Sequence, residues 1–188
     1  MPASDAVMIL CGLFVLSWVV AAAWAGQTVG SMAPGPLRPL YGAGAAAGLA
    51  LVLAGWAWPW THERLWAEMP VIDWLLVAVC AAAFAFCWWA RIHLGALWSA
   101  GVARKEGHRV VDTGPYAIVR HPIYTGSILA GFAWAAVRAR PLAIALAVLY
   151  AVFMSIKARH EERFLREELG PDYDEYSKRV PRLVPFIH

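Results

Sequence analysis

Two short stretches hold most of the residues that could do chemistry. GPYAIVRHPIYTG, from Gly114 to Gly126, carries Tyr116, Arg120, His121 and Tyr124, and KARHEE carries Lys157, Arg159, Glu161 and Glu162. Together they offer cations, carboxylates, aromatic rings and a Gly-Pro turn, the mixture that a zwitterionic, nucleotide-like cofactor needs. A carboxylate can accept hydrogen bonds from a ribose diol or an ammonium group, and an aromatic face attracts a sulfonium by cation–π interaction. No GxGxxG fingerprint or P-loop is present, nor a Ser-His-Asp or HExxH pattern. Plainer roles fit the same residues singly. His121 before Pro122 suits a helix N-cap. Glu161 and Glu162 suit a solvated helix face paired with Lys157, and Tyr173 with Tyr176 suits packing.

The elements that must position these residues are apolar. Hydrophobic residues make up 61% of the 188 and charged residues only 15%, with mean hydropathy +0.54, whereas a soluble domain carries about 25% charged residues. Eleven Trp residues point the same way. Several, such as Trp56, Trp58, Trp60 and Trp66, flank apolar runs where amphipathic rings favour the headgroup region. Cys11, Cys80 and Cys87 lie inside apolar runs without metal-ligand spacing, so they are expected as small buried hydrophobes, with no disulfide and no metal. The net charge of +3 gives no indication of a nucleic-acid partner.

Spanning helices are expected over Val7–Ala25, Leu40–Trp58 and Val71–Ala90, each close to the roughly 20 apolar residues a bilayer requires. The first lacks a basic leader region and reads as a retained span. Gly44 and Gly48 form a small-xxx-small pair suited to close helix approach. Two shorter runs, Ile123–Val137 and Leu142–Ile156, flank Arg138-Ala139-Arg140-Pro141 and read as a helical hairpin. Each is about 22 Å long, short of a roughly 30 Å hydrocarbon core. Beyond Ile156 a charged helix runs to about Leu169, where Gly170-Pro171 stops it. The expected fold is an all-α integral membrane protein of about five transmembrane helices, the last two a hairpin, with a cytoplasmic C-terminal cofactor pocket.

Lys and Arg set the expected orientation. They gather between Arg91 and Arg120 and again from Lys157 to Arg182, which places both regions in the cytoplasm. The N-terminus and the connection from His62 to Pro70 then fall outside, and the connection from Gly26 to Pro39 inside. Arg138 and Arg140 at the tip run against this but are outnumbered. From Ala139, His121 lies eighteen residues back and Glu161 twenty-two forward. Antiparallel arms of similar length return their ends to one level, so His121, Tyr124, Lys157 and Glu161 should meet at the cytoplasmic surface.

At HRVVDTGPYAIVRHPIYTG and ARHEERFLREELGPDYDEYSKRVPRLVPF the chain resembles the isoprenylcysteine carboxyl methyltransferase family. More loosely, it resembles the integral-membrane phospholipid methyltransferases. The resemblance covers roughly residues 108 to 186. Two parts are expected: residues 1–107, with the first three transmembrane helices and a connecting loop, read from the apolar runs, and residues 108–188, which the resemblance implies to be a methyltransferase-like catalytic region. The second part includes the hairpin 122–157 and a cytoplasmic C-terminal segment.

The resemblance implies S-adenosylmethionine as cofactor. Its binding residues would be His108, Arg109, Val110 and Val111, then Tyr116, His121, Pro122, Ile123 and Tyr124, with Glu161 as the contacting acid and Glu162 beside it. Lys157 and Arg159 would bind substrate, and Lys157 and Glu161 would be catalytic. Lys157 stands at or near the place of a family Arg that holds the substrate carboxylate. As a point charge, Lys cannot make the planar bidentate pair that Arg makes.

The implied activity is methylation of a lipophilic small molecule or lipidated acceptor, foremost the carboxylate of an isoprenylcysteine-like molecule. Membrane lipids would be partners, in a multi-pass protein of a bacterial inner membrane with its site facing the cytoplasm. A carboxylate acceptor is already ionised near neutral pH, so positioning and desolvation would do most of the catalysis. An amine or phenol would need a base, with Glu161, Glu162 or His121 as candidates. Phospholipid amine N-methylation is an alternative. So is an NADPH-dependent sterol or enone reductase, because membrane sterol reductases carry a similar Arg-His-x-x-Tyr element. A non-enzymatic scaffold would use the same cluster as a headgroup patch.

Overall fold

The computed structural model describes residues 1–21, 28–31, 64–98, 103–105 and 109–187. The Leu40–Trp58 span, the Gly44/Gly48 pair, Trp56, Trp58, Trp60 and His62 lie outside these residues, as does the connection from 32 to 39. The described chain is helical: α1 (Ala3–Ala21), α2 (Pro70–Leu94), α3 (Pro122–Arg138), α4 (Pro141–Leu169) and α5 (Pro171–Arg179). One departure from an all-α chain is a short antiparallel pair, β1 (Thr28–Ser31) with β2 (Ala103–Lys105), in which Gly30 faces Arg104 across an irregular register.

Helices α2 to α5 each begin with proline in the first turn, where its missing N–H costs nothing and its fixed φ suits the helix. Asp73 adds a cap at the start of α2, its carboxylate accepting from the Met69 amide at 3.2 Å. Gly170, at φ 56°, ends α4 and precedes α5. The hairpin turns on Ala139, a left-handed residue at φ 50°.

Among the described residues, three helical stretches are long and apolar enough to cross a membrane: Ala3–Ala21, Pro70–Leu97 and Pro141–Leu169. The hairpin arms differ from the expected equal pair. Helix α3 has 17 residues. Helix α4 continues without a break from the apolar run into the charged one, for 29 residues, or about 43 Å at 1.5 Å per residue.

The main packing seam joins α2 to α3, and small residues make it. Cys80, Ala83, Cys87 and Ala90 form the buried stripe of α2, and Gly126, Ala130 and Ala133 face it from α3. Small side chains let helix backbones approach closely. A Cβ on Gly126 would stand 2.8 Å from the Ala83 carbonyl oxygen. The three cysteines are free and buried, as expected. Helix α1 runs beside this pair, with the Trp134 indole donating to Met8 Sδ and the Trp88 indole to Ser17 Oγ, both at 3.1 Å.

These contacts give the bundle two distinct ends. The start of α1 meets the end of α3, and the Leu65 amide donates to the Ala139 carbonyl at 2.8 Å. The N-terminal end of the chain, residues 64–69 and the hairpin tip therefore share one end. The end of α1, the end of α2, the start of α3 and the charged half of α4 share the other.

Candidate functional site

At the second end, buried Arg91 joins two helix termini. It is 2% exposed. Its Nη2 donates to Ala21 O and its Nη1 to Gly95 O, each at 2.9 Å, and the guanidinium lies over Trp98, 4.3 Å from the ring centre. A cation suits carbonyls at helix C-termini. The partners of Arg91 lie 70 residues back and 4 forward. Next to it, His93 Nε2 lies 2.9 Å from Thr113 Oγ1. Gly114 sits at φ +58°, and any Cβ there would stand 2.9 Å from the His93 ring. Only glycine fits that turn, which leads into the 3-10 turn Gly114–Ala117.

The RHPxY segment follows, and the hairpin brings it against α4 as the segment lengths require. Tyr124 Oη donates to Glu161 Oε2 at 2.6 Å. His121 Nδ1 lies 3.7 Å from the same oxygen. The His121 and Tyr124 rings are nearly parallel, with centres 5.2 Å apart, and Lys157 Nζ lies 5.2 Å from the Tyr124 ring centre. Tyr124, Lys157 and Glu161 are partly exposed, whereas His121 is buried.

Glu162 differs sharply from its neighbour. Its side chain is 1% exposed, against 28% for Glu161. Arg120 Nε donates to Glu162 Oε1 at 2.8 Å, and Arg182 Nε and Nη2 donate to Oε2 at 3.0 and 2.8 Å. His121 Nε2 lies 3.4 Å from Oε1. Both oxygens are thus engaged by guanidiniums. Hydrogen bonding to Glu162 raises the pKa of Arg182 above its ordinary value. Glu162 continues the buried stripe of α4 set by Ala143, Ala147, Met154 and Ala158. That helical spacing was the available signal that Glu162, and not Glu161, faces the core.

The tail after α5 closes over this pair. Pro181 O accepts from the Arg120 amide at 2.8 Å and Arg182 O from the His121 amide at 3.1 Å. Thr125 Oγ1 donates to Leu183 O at 2.6 Å, and Arg120 Nη1 donates to Ser177 O and Val180 O. Tyr173 and Tyr176 pack edge-on at 5.8 Å with Val180, Val110, Leu165 and Leu169 around them. Burial pushes the Tyr176 phenol up, and as a neutral donor it bonds the Tyr116 carbonyl at 2.8 Å.

The candidate residues therefore separate. Tyr124, Glu161, His121 and Lys157 converge. Tyr116 is buried behind them, its carbonyl engaged. Pro122 is buried as a helix starter, and the Ile123 carbonyl accepts from Cys87 Sγ at 3.4 Å. Val110 joins the tyrosine cluster, Val111 is half-buried, and Arg109 and Arg159 are exposed. His108 lies outside the described residues. Arg182 and Thr125 escaped notice, because a basic tail and a hydroxyl inside a helix carry no local mark of the site.

A helical membrane protein with its polar chemistry gathered at one end of a hairpin is the class that the fold and site define. Residues 74–167 match the model of the Isoprenylcysteine carboxyl methyltransferase (ICMT) family, and the chain belongs to that family. Protein-S-isoprenylcysteine O-methyltransferase B of Arabidopsis thaliana is 36% identical over 46% of this chain and 45% of its own. Methanethiol S-methyltransferase 2 of Bradyrhizobium diazoefficiens is 33% identical over 73% of this chain and 56% of its own. The human protein-S-isoprenylcysteine O-methyltransferase is 28% identical over 72% and 50%. The chain spans about half the length of these relatives.

Proposed function

We propose that this chain is an integral-membrane methyltransferase that uses S-adenosylmethionine and modifies a lipophilic acceptor, foremost the carboxylate of an isoprenylcysteine-like molecule. The observation that carries the reading is the Tyr124–Glu161 pair at the foot of the hairpin, in a chain of this family. Glu162 is committed to two arginines. Glu161 keeps an oxygen, Oε1, outside the Tyr124 and His121 contacts, and its partial exposure lets it receive a ribose diol or an ammonium group. The parallel His121 and Tyr124 rings supply a flat wall. The residues present thus fit the cofactor.

S-adenosylmethionine would supply an electrophilic methyl on a sulfonium. Tyr124 holds Glu161 in place, and Lys157 sets a positive charge beside the same ring, where it can steer an acceptor carboxylate. Such an acceptor needs no base, because it is ionised near neutral pH. Residue chemistry is then confined to binding, orientation and exclusion of water. The protein's site would lie on the cytoplasmic side of a bacterial inner membrane, where the basic segments collect.

A second reading, transfer to a thiol sulfur, is favoured by the 33% identity to the methanethiol enzyme over most of the chain. It also suits Lys157 as a point charge in place of a carboxylate-gripping Arg.

The test is calorimetry on detergent-purified protein with S-adenosylmethionine, S-adenosylhomocysteine and NADPH. Binding of the first two that is lost in Glu161→Ala is expected. Labelled methyl donor with carboxylate and thiol acceptors then separates the two readings. Binding of NADPH without binding of the methyl donor would overturn both in favour of a reductase.

A further inference from the structure

We infer that Arg182 is a positioning residue for the cofactor site, acting from the C-terminal tail through Glu162. The inference rests on the methyltransferase reading above and adds a residue to it. Arg182 grips Glu162 Oε2 with two nitrogens, at 3.0 and 2.8 Å, while its carbonyl accepts the His121 amide at 3.1 Å. One residue thus holds both sides of the site, the α4 carboxylate and the RHPxY backbone. Arg120 repeats the pattern in reverse: it binds Glu162 Oε1, and its amide donates to Pro181 O at 2.8 Å.

These bonds form a closed loop from tail to turn to helix. Glu162 and Glu161 are neighbours on the backbone of α4, so locking Glu162 fixes where Glu161 points. The hydrogen bond from the His121 amide to the tail holds the backbone that carries the His121 ring, which lies parallel to Tyr124. The hydrogen bonds of Arg182 run to Glu162 and to the His121 amide, and its side chain is 35% exposed. Its effect on the site is therefore transmitted, which is the meaning of positioning here. A lysine could restore the charge but not the two-nitrogen fork.

The experiment compares Arg182→Ala, Arg182→Gln and Arg182→Lys with wild type in detergent. Arg179→Ala serves as a control, because it removes an exposed tail cation whose ion pair is with Asp112 and not within the Glu162 clamp. The readouts are Kd for S-adenosylhomocysteine, KM and kcat for the donor, and hydrogen exchange of the 118–127 peptide in ligand-free protein. Arg182→Ala should weaken Kd and raise KM by about tenfold or more, the scale of one lost hydrogen bond to a charged group. Arg182→Lys should recover only part of this, and Arg179→Ala should leave Kd unchanged.

Wild-type Kd and KM in folded Arg182→Ala would overturn the inference and leave the methyltransferase reading standing. Should Arg182→Ala not fold, the same criterion applies to the Gln and Lys variants. Absence of cofactor binding in wild type would overturn the methyltransferase reading itself. Hydrogen exchange then decides the positioning claim: faster exchange at 118–127 in the Arg182 variant but not in Arg179→Ala supports it, and unchanged exchange overturns it.

Discussion

The adjacent acids Glu161 and Glu162 show how much one residue step matters on a helix. A step of one turns a side chain by about 100°, and here it separates a buried carboxylate between two arginines from a partly exposed one facing Tyr124. Their substitutions should therefore fail differently. Glu162→Ala leaves Arg120, whose side chain is 8% exposed, without its counter-charge. Breaking a buried pair from one side costs about 3–5 kcal/mol, with the lower end expected because Arg182 reaches solvent. The melting temperature should fall clearly. Glu161→Ala should melt close to wild type yet lose donor binding. Thermal unfolding by tryptophan fluorescence and calorimetry on the same samples check both. Equal melting temperatures for the two variants would mean that the arginine clamp does not hold the fold together.

At the scale of elements, the site depends on the seam behind it. Helix α3 can place His121 and Tyr124 only if its other face lies close along α2, and at Gly126 the approach leaves no room for a Cβ. An alanine there meets the Ala83 carbonyl at 2.8 Å and the Cys87 sulfur as well. Backbone cannot yield as a flexible side chain can. Overpacking of this kind costs about 1–3 kcal/mol, so Gly126→Ala should lower the melting temperature and also weaken donor binding by tilting α3. Gly131→Ala is the comparison, since its nearest neighbour, a Tyr150 carbon, is 3.9 Å away; it should be silent in both assays. The hairpin illustrates a related point. Its proximity argument needed only arm lengths, and it held although the arms differ, α4 joining the apolar run and the charged helix without a break.

At the scale of the molecule, the bundle has a polar working end and a far end where the N-terminal end of the chain, Leu65 and the hairpin tip meet. Arg64 strengthens that far end by donating to Val137 O at 3.3 Å. If the described helices cross a bilayer, single cysteines added at Ser4 and Arg140 should react with an impermeant maleimide from one side, and one at Glu168 only from the other. The native cysteines are buried and should stay silent. Labelling of Ser4 and Glu168 from the same side would show that the two ends do not lie across a membrane from each other.

The membrane class, the hairpin, the helix start at Pro122 and the meeting of RHPxY with the acidic pair were legible in the chain itself, whereas Pro171, read only as a stop, also starts α5. Each rests on local or additive properties: apolar run length, the fixed φ of proline and the rise per residue of a helix. Legible but passed over was the stripe from Ala143 to Glu162, which names the core-facing acid by helical spacing. Other roles depended on tertiary contact. Arg91 became a double helix cap through a carbonyl 70 residues away, and Arg182 joined the site by crossing from the tail to α4 and to the His121 backbone. A charge in a sequence shows only that it needs a partner or water. Which partner it finds is set by where distant backbone is brought, and that was decided by the packing of α2, α3 and α4 and the return of the tail across them.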